Sequence, residues 1–271
     1  MMRPCDGWST QMPFAMNNGV RIHYEVEGAG PPLVLQHGFT DSMVSWYDRG
    51  YVEVLKQHNL LVLIDARGHN ASDKPHNPEA YAAELNVGDV IAVLDRLGIS
   101  KTRYFGYSMG GLIGFGMAKF APTRVGAMIL GGASPDPAPP GAMDPLMSIL
   151  KRGAPALLTS AYAGFLTPAL EARLLSNDMD ALIANRQKRF ASQGFSEILG
   201  SLEMECLLFA GDADPIYEAV KASAAKMANA TFFALTGLQH YEAFVRSDLV
   251  LPHVMRFLTT VHTSDGKPPL A

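Results

Sequence analysis

The sequence predicts an α/β fold: a doubly wound, mostly parallel sheet covered by helices and interrupted by one helical insertion. Three observations point there. Short runs that are apolar on both faces recur along the chain, as the strands of a covered parallel sheet require. Amphipathic helical stretches alternate with them. One long segment, 135–194, breaks the alternation and carries no strand pattern.

Residues 20–27 alternate, with Val20, Ile22, Tyr24 and Val26 on one face of a strand. Residues 32–36 and 60–64 are short buried runs. Residues 79–97 read as one helix, whose stripe of Leu85, Val87, Val90, Ile91, Leu94 and Leu97 stops at Gly98. Strands follow at 102–107 and 125–130, with a helical run at 112–120 between them. The insertion opens on a proline-rich linker beginning at Pro135. Two apolar clusters then flank Gly153 and Pro155, which predicts at least two short helices. Strands resume at 206–210 and 231–235, with helices at 219–227 and 249–260. The polar tail from 263 to 271 is expected to be loose.

Composition narrows the function. The chain has 271 residues, is 48% hydrophobic and carries a net charge of −4. One core with an insertion suits that length. The mild negative balance offers no basic face for nucleic acid. No apolar run approaches the ~20 residues that span a bilayer. Residues 1–13 lack the apolar core of a signal peptide, so a cytoplasmic protein is expected. Two cysteines, Cys5 and Cys206, fit a reducing compartment, and neither has a Cys or His at ligand spacing, so no metal is expected.

Gly106-Tyr107-Ser108-Met109-Gly110 carries the chemistry. A serine in Gly-x-Ser-x-Gly between a strand and a helix sits on strained backbone with its hydroxyl pushed out over the sheet edge. The glycines are needed because side chains there would collide where strand and helix pack closest. A serine hydroxyl needs a base and a carboxylate to orient that base, in the chain order Ser, acid, His. His240, just past the last strand, is the expected base, ahead of His253 and His262. Asp214, in the loop after the strand at 206–210, is the expected acid, with Asp212 and Asp136 as competitors. His37-Gly38-Phe39 follows the strand at 32–36, which nominates the backbone N–H groups of Phe39 and Met109 as an oxyanion hole. The His37 side chain reads as a structural group. Arg67 and Asp73 read as ties for a loop near the sheet edge, and Trp46 as a packing residue.

Together, His37-Gly38-Phe39, Asp65 to His69 with Ser72 to Pro75, the turn at 106–110, Gly211 to Asp214, and His240 resemble the α/β-hydrolase family. The resemblance spans most of the chain outside the insertion. It implies a core at 1–134 and 195–271 and a helical cap at 135–194. In this family the acid commonly closes a Gly-x-x-Asp run, here Asp214. Relatives with an Asp nucleophile, the epoxide hydrolases and haloalkane dehalogenases, differ at position 108. Asn70 stands where relatives often carry Gly. The implied activity is hydrolysis of small, fairly apolar carboxylic esters or lactones by Ser108, His240 and Asp214, with no cofactor, nucleic acid or membrane as partner. Alternatives on the same scaffold are carbon–carbon bond hydrolysis, perhydrolysis, or a non-catalytic ligand receptor. The oligomeric state and the substrate are not encoded in any motif.

Overall fold

The computed structural model describes residues 13–136, 143–160, 162–191 and 193–261. Most of the proline-rich linker and the tail with His262 lie outside them, as does Cys5. An eight-stranded sheet forms the centre, in the order β1-β2-β4-β3-β5-β6-β7-β8. Its strands are β1 (Phe14–Asn17), β2 (Val20–Glu27), β3 (Pro32–Gln36), β4 (Leu60–Ile64), β5 (Thr102–Tyr107), β6 (Val125–Gly131), β7 (Glu205–Gly211) and β8 (Ala230–Leu235). β1 and β2 are antiparallel and form one edge; the rest run parallel. The runs at 32–36 and 60–64 lie side by side in register, Leu33 beside Leu61 and Leu35 beside Leu63, all buried. Both faces of these strands must therefore be covered, and they are.

Eleven α-helices are described: α1 (Val44–Asp48), α2 (Tyr51–Leu55), α3 (Ala83–Arg96), α4 (Met109–Phe120), α5 (Pro145–Leu150), α6 (Pro155–Leu158), α7 (Pro168–Leu175), α8 (Met179–Ala191), α9 (Tyr217–Ala225), α10 (His240–Val245) and α11 (Ser247–Thr260). Consecutive strand residues point to opposite faces, and β5 shows what each face meets. The Tyr104 hydroxyl donates to the Gly110 carbonyl of α4 at 2.7 Å. The Phe105 ring packs on Trp46 of α1 at 4.8 Å, and Trp46 in turn meets Tyr51 of α2 and Phe244 of α10 edge-on. Trp46 is thus a fully buried packing residue, as expected.

One expectation is corrected, one strand was missed, and the insertion, expected to hold at least two short helices, is richer in detail. The helix read over 79–97 is a 3-10 turn, Pro78–Tyr81, followed by α3; the chain breaks at Ala82, whose ψ of 147° is extended. β1 was not expected. The insertion holds four described α-helices, α5 to α8, three of them opening on Pro145, Pro155 and Pro168 at the first helical turn. Asn177, after α7, donates to the Thr40 carbonyl at 2.9 Å, and Tyr162 Oη lies 2.7 Å from Thr40 Oγ1. Ion pairs Arg173–Asp48 and His76–Asp178 join the insertion to the core nearby. The insertion therefore lies over the loop that follows β3. Among the described residues, no helix is long and apolar enough to cross a membrane, and no cluster of three or more His, Cys, Asp or Glu could hold a metal.

Candidate active site

β5 ends at Tyr107 and α4 begins at Met109, so Ser108 alone makes the turn. Its φ of 52° and ψ of −111° are unfavourable for a residue with a side chain, at a cost of about 1–3 kcal/mol. The surroundings hold it there. Ser108 N–H donates to Gly131 O at 2.8 Å, and Ser108 O accepts from Leu112 N at 3.0 Å. The flanking glycines are sterically required: a Cβ on Gly106 would lie 2.3 Å from Gly110 O, and one on Gly110 2.1 Å from Gln36 O.

His240 and Asp214 reach this serine from two other strand ends. His240 Nε2 lies 2.9 Å from Ser108 Oγ, and His240 Nδ1 lies 2.6 Å from Asp214 Oδ2. The Asp214 carboxylate fixes the proton on Nδ1 and leaves Nε2 free to accept the serine proton. Asp214 is itself buried and oriented, its Oδ1 accepting from Ile216 N at 3.0 Å. The three residues come from the carboxyl ends of β5, β7 and β8, the rim where open parallel sheets place their sites. The competing acids lie elsewhere. Asp212 Oδ1 accepts from Gly237 N–H of the turn after β8 at 2.6 Å, and Asp136 takes the Ser196 hydroxyl. His253 stacks on Phe233 at 4.1 Å. One local expectation changes: His240 opens helix α10 rather than sitting in a free loop, and Gln239 N–H donates to Glu242 Oε2 at 2.7 Å to start that helix.

The loop after β3 lies against the serine. A Cβ on Gly38 would sit 3.6 Å from Ser108 Cβ. Among the described residues no hydrogen bond takes up the N–H of Phe39 or of Met109, the latter at the start of α4, where helical N–H groups have no partner in their own helix. His37 is fully buried and structural: its Nε2 accepts from Ala66 N at 3.0 Å, and its Nδ1 donates to Gly38 O at 2.7 Å. Thr40, at φ 64°, is pinned through its N–H to His69 Nε2 (3.3 Å) and its hydroxyl to Phe39 O (2.6 Å). Burial above all pushes the His69 pKa down to about 3, so at neutral pH the ring is neutral and can accept that bond.

A family model described as alpha/beta hydrolase fold matches residues 31–182, more than half of the chain. The chain belongs to the alpha/beta hydrolase fold family. In sequence, this α/β-hydrolase is 39% identical over 111 residues to the bifunctional epoxide hydrolase 2 of Mus musculus, a match covering 41% of this chain and 20% of that protein. The chain thus spans about a fifth of the length of that curated relative. In structure it resembles an enol-lactonase from Burkholderia xenovorans LB400 (TM-score 0.80, 24% identity, covering 91% of this chain and 100% of that one). It also resembles an esterase from Rhodococcus sp. ECU1013 (TM-score 0.78, 26% identity, covering 93% and 99%).

Sequence reasoning missed the α/β-hydrolase's contacts from the insertion. Tyr162 and Asn177 grip Thr40. Asn185 of α8 sits on the Met109 side chain, and Arg189 one turn later lies over the Phe39 ring. The only hint in the sequence was the i,i+4 spacing of two polar groups in an otherwise unremarked helix. Chemically, a hydroxyl in reach of an imidazole that a carboxylate orients can lose its proton as its oxygen attacks an electrophilic carbon.

Proposed function

We propose that this α/β-hydrolase cleaves carboxylic esters or lactones through an acyl-enzyme on Ser108. The observation that carries the reading is the hydrogen-bonded line from Ser108 Oγ through His240 to Asp214, at 2.9 and 2.6 Å. Ser108 Oγ attacks the carbonyl carbon while His240 Nε2 takes its proton. The amides of Phe39 and Met109 stabilise the oxyanion. Collapse expels the alkoxide, which takes the proton from His240. Water then attacks the acyl-enzyme with His240 again as base, releasing the acid and restoring Ser108. The insertion acts as a cap over this rim, dividing the chain into core (1–134 and 195–271) and cap (135–194).

The esterase and enol-lactonase likenesses agree with this chemistry. The epoxide hydrolase likeness does not fit the residue at position 108. A carboxylate that opens an epoxide leaves an ester, which water can cleave. A serine would leave an ether, which water cannot, and the enzyme would be spent after one turnover.

The test is fluorophosphonate labelling beside turnover of short-chain p-nitrophenyl esters and simple lactones. Wild type is expected to label once, at Ser108, and to turn over. Ser108→Ala is expected to lose labelling and at least ~10⁴-fold in kcat, and His240→Ala to fall comparably. Full turnover by Ser108→Ala, or wild-type activity on an epoxide but on no ester or lactone, would falsify the reading.

A further inference from the structure

We propose that Asn185 is a specificity-determining residue: its side-chain oxygen receives a hydrogen bond from a hydroxyl on the acyl chain of the substrate, so that the favoured ester or lactone is a hydroxylated one. This rests on the ester-hydrolase reading and specifies its substrate class. Asn185 stands on the inner face of α8, one turn after Ala181 and Leu182, both fully buried. Packing alone would ask for an apolar residue there. The asparagine is 2% exposed, and its Oδ1 is buried with no hydrogen-bond partner among the described residues. A buried acceptor in that state is costly unless a donor reaches it.

The orientation of the amide follows from its neighbour. Asn185 Nδ2 lies 3.9 Å from Met109 Sδ. A thioether sulfur accepts hydrogen bonds and carries no hydrogen to donate, so the N–H side of the amide faces it and the oxygen faces away. Met109 also carries an amide assigned to the oxyanion, so one methionine side chain separates the reacting carbonyl from the asparagine. Asn185 and Met109 line a cavity of about 40 Å³, with Leu112, Ile113 and Phe195 as its apolar wall. Three donors around it have partners: the Tyr81 hydroxyl donates to Pro75 O at 2.7 Å, Asn86 Nδ2 donates to Tyr81 O at 2.9 Å, and Lys188 pairs with Glu79. The guest is thus a donor, and a neutral one, since Lys188 and Arg189 border the same cavity and repel a cation. A hydroxyl is the smallest neutral donor on a carbon chain and suits that volume, where an amide would bring a carbonyl with it. The acyl chain stays on Ser108 through both chemical steps, so the hydroxyl is assigned to that chain. A water molecule can serve Oδ1 between turnovers. A hydroxyl that displaces it keeps the hydrogen bond, and a methyl group forfeits it.

The experiment takes the p-nitrophenyl esters of 6-hydroxyhexanoate, 7-hydroxyheptanoate and 8-hydroxyoctanoate, each beside the ester in which a methyl group replaces the hydroxyl. Wild type is expected to favour at least one hydroxy ester over its methyl partner by tenfold or more in kcat/KM. A keto ester of matching length, which accepts hydrogen bonds but donates none, is expected to gain no such preference. In Asn185→Leu the ratio of hydroxy to methyl ester is expected to fall at least tenfold, and Asn185→Ala, made in case leucine disturbs folding, is expected to lose it as well. No preference in wild type, an equal preference for the keto ester, or a ratio unchanged in the variants overturns the proposal. Should wild type hydrolyse none of these esters, the ester-hydrolase reading fails, and trifluoromethyl ketones carrying the same chains then decide the subsite alone by calorimetry. Tighter binding of the hydroxylated ketone that depends on Asn185 upholds it, and any other result overturns it.

Discussion

The carboxylate of Asp89 accepts two hydrogen bonds of 2.6 Å from Arg67 in the interior, with a third from Asn17 at 2.8 Å. Asp73 takes a similar fork from Arg21, but at the surface, where Arg21 is 58% exposed. Burial separates the two pairs. Removing one partner of a buried pair leaves an uncompensated charge, and exposed pairs are screened. Asp89→Leu is expected to cost about 3–5 kcal/mol in urea unfolding at pH 7, and Asp73→Ala less than about 1 kcal/mol. Equal costs would contradict this account. The sequence linked Arg67 and Asp73 only as loop ties; the fold gives each its own arginine–carboxylate pair. Asn70, which stands where relatives often carry Gly, makes a contact of its own. Its φ of 42° is a conformation Asn tolerates, and its Nδ2 donates to buried Asp65 at 2.8 Å, a bond Gly could not make.

Between the insertion and the loop after β3, a few polar contacts decide geometry. The Thr40 hydroxyl donates to Phe39 O and accepts from Tyr162, while Tyr162 packs edge-on against Tyr241 at 4.5 Å, beside His240. Tyr162 thus touches both the loop after β3 and the helix that carries His240. Removing its hydroxyl should loosen the Phe39 amide without emptying the pocket. Tyr162→Phe is expected to lower kcat roughly fivefold, the worth of about 1 kcal/mol of hydrogen bonding, with KM nearly unchanged. Affinity for a trifluoromethyl ketone, which mimics the oxyanion, should fall in step with kcat. A change confined to KM would instead assign Tyr162 to substrate packing.

For the molecule as a whole, buried titratable groups set the acid limit. His69 is held neutral, its pKa lowered from 6.5 to about 3 by burial and by His37. The unfolded chain takes up that proton below 6.5 and the folded chain only near 3, so stability falls as pH drops through this window. Asp65 acts in the same direction. Burial raises its pKa, but hydrogen bonds from His23, Met43 and Asn70 and the charge of His37 bring it below the ordinary value, so its contribution is present above 3.8 and is lost as pH falls through the folded pKa. The melting temperature is expected to decline from pH 7 to pH 4, with a shallower decline in His69→Leu. An identical slope in that variant would remove His69 from the explanation.

Much of this protein was legible from neighbouring residues alone. Apolar runs such as 32–36 and 60–64 announced a parallel sheet because burial on both faces needs no distant information. The five residues at 106–110 announced a strained serine, since the glycines answer to local sterics. β1 was missed although Asn18-Gly19, both at positive φ, marks its hairpin with β2; a four-residue strand leaves little periodicity to read. The sequence favoured Asp214 over Asp212; tertiary structure adds the contact, with the imidazole reaching one carboxylate while a turn amide takes the other. It alone brought Asn185 and Arg189 to Met109 and Phe39. Periodicity and turn chemistry are written within a few residues. A contact such as His240 to Ser108, 132 positions apart, exists only once strand order and packing have placed both ends at one rim.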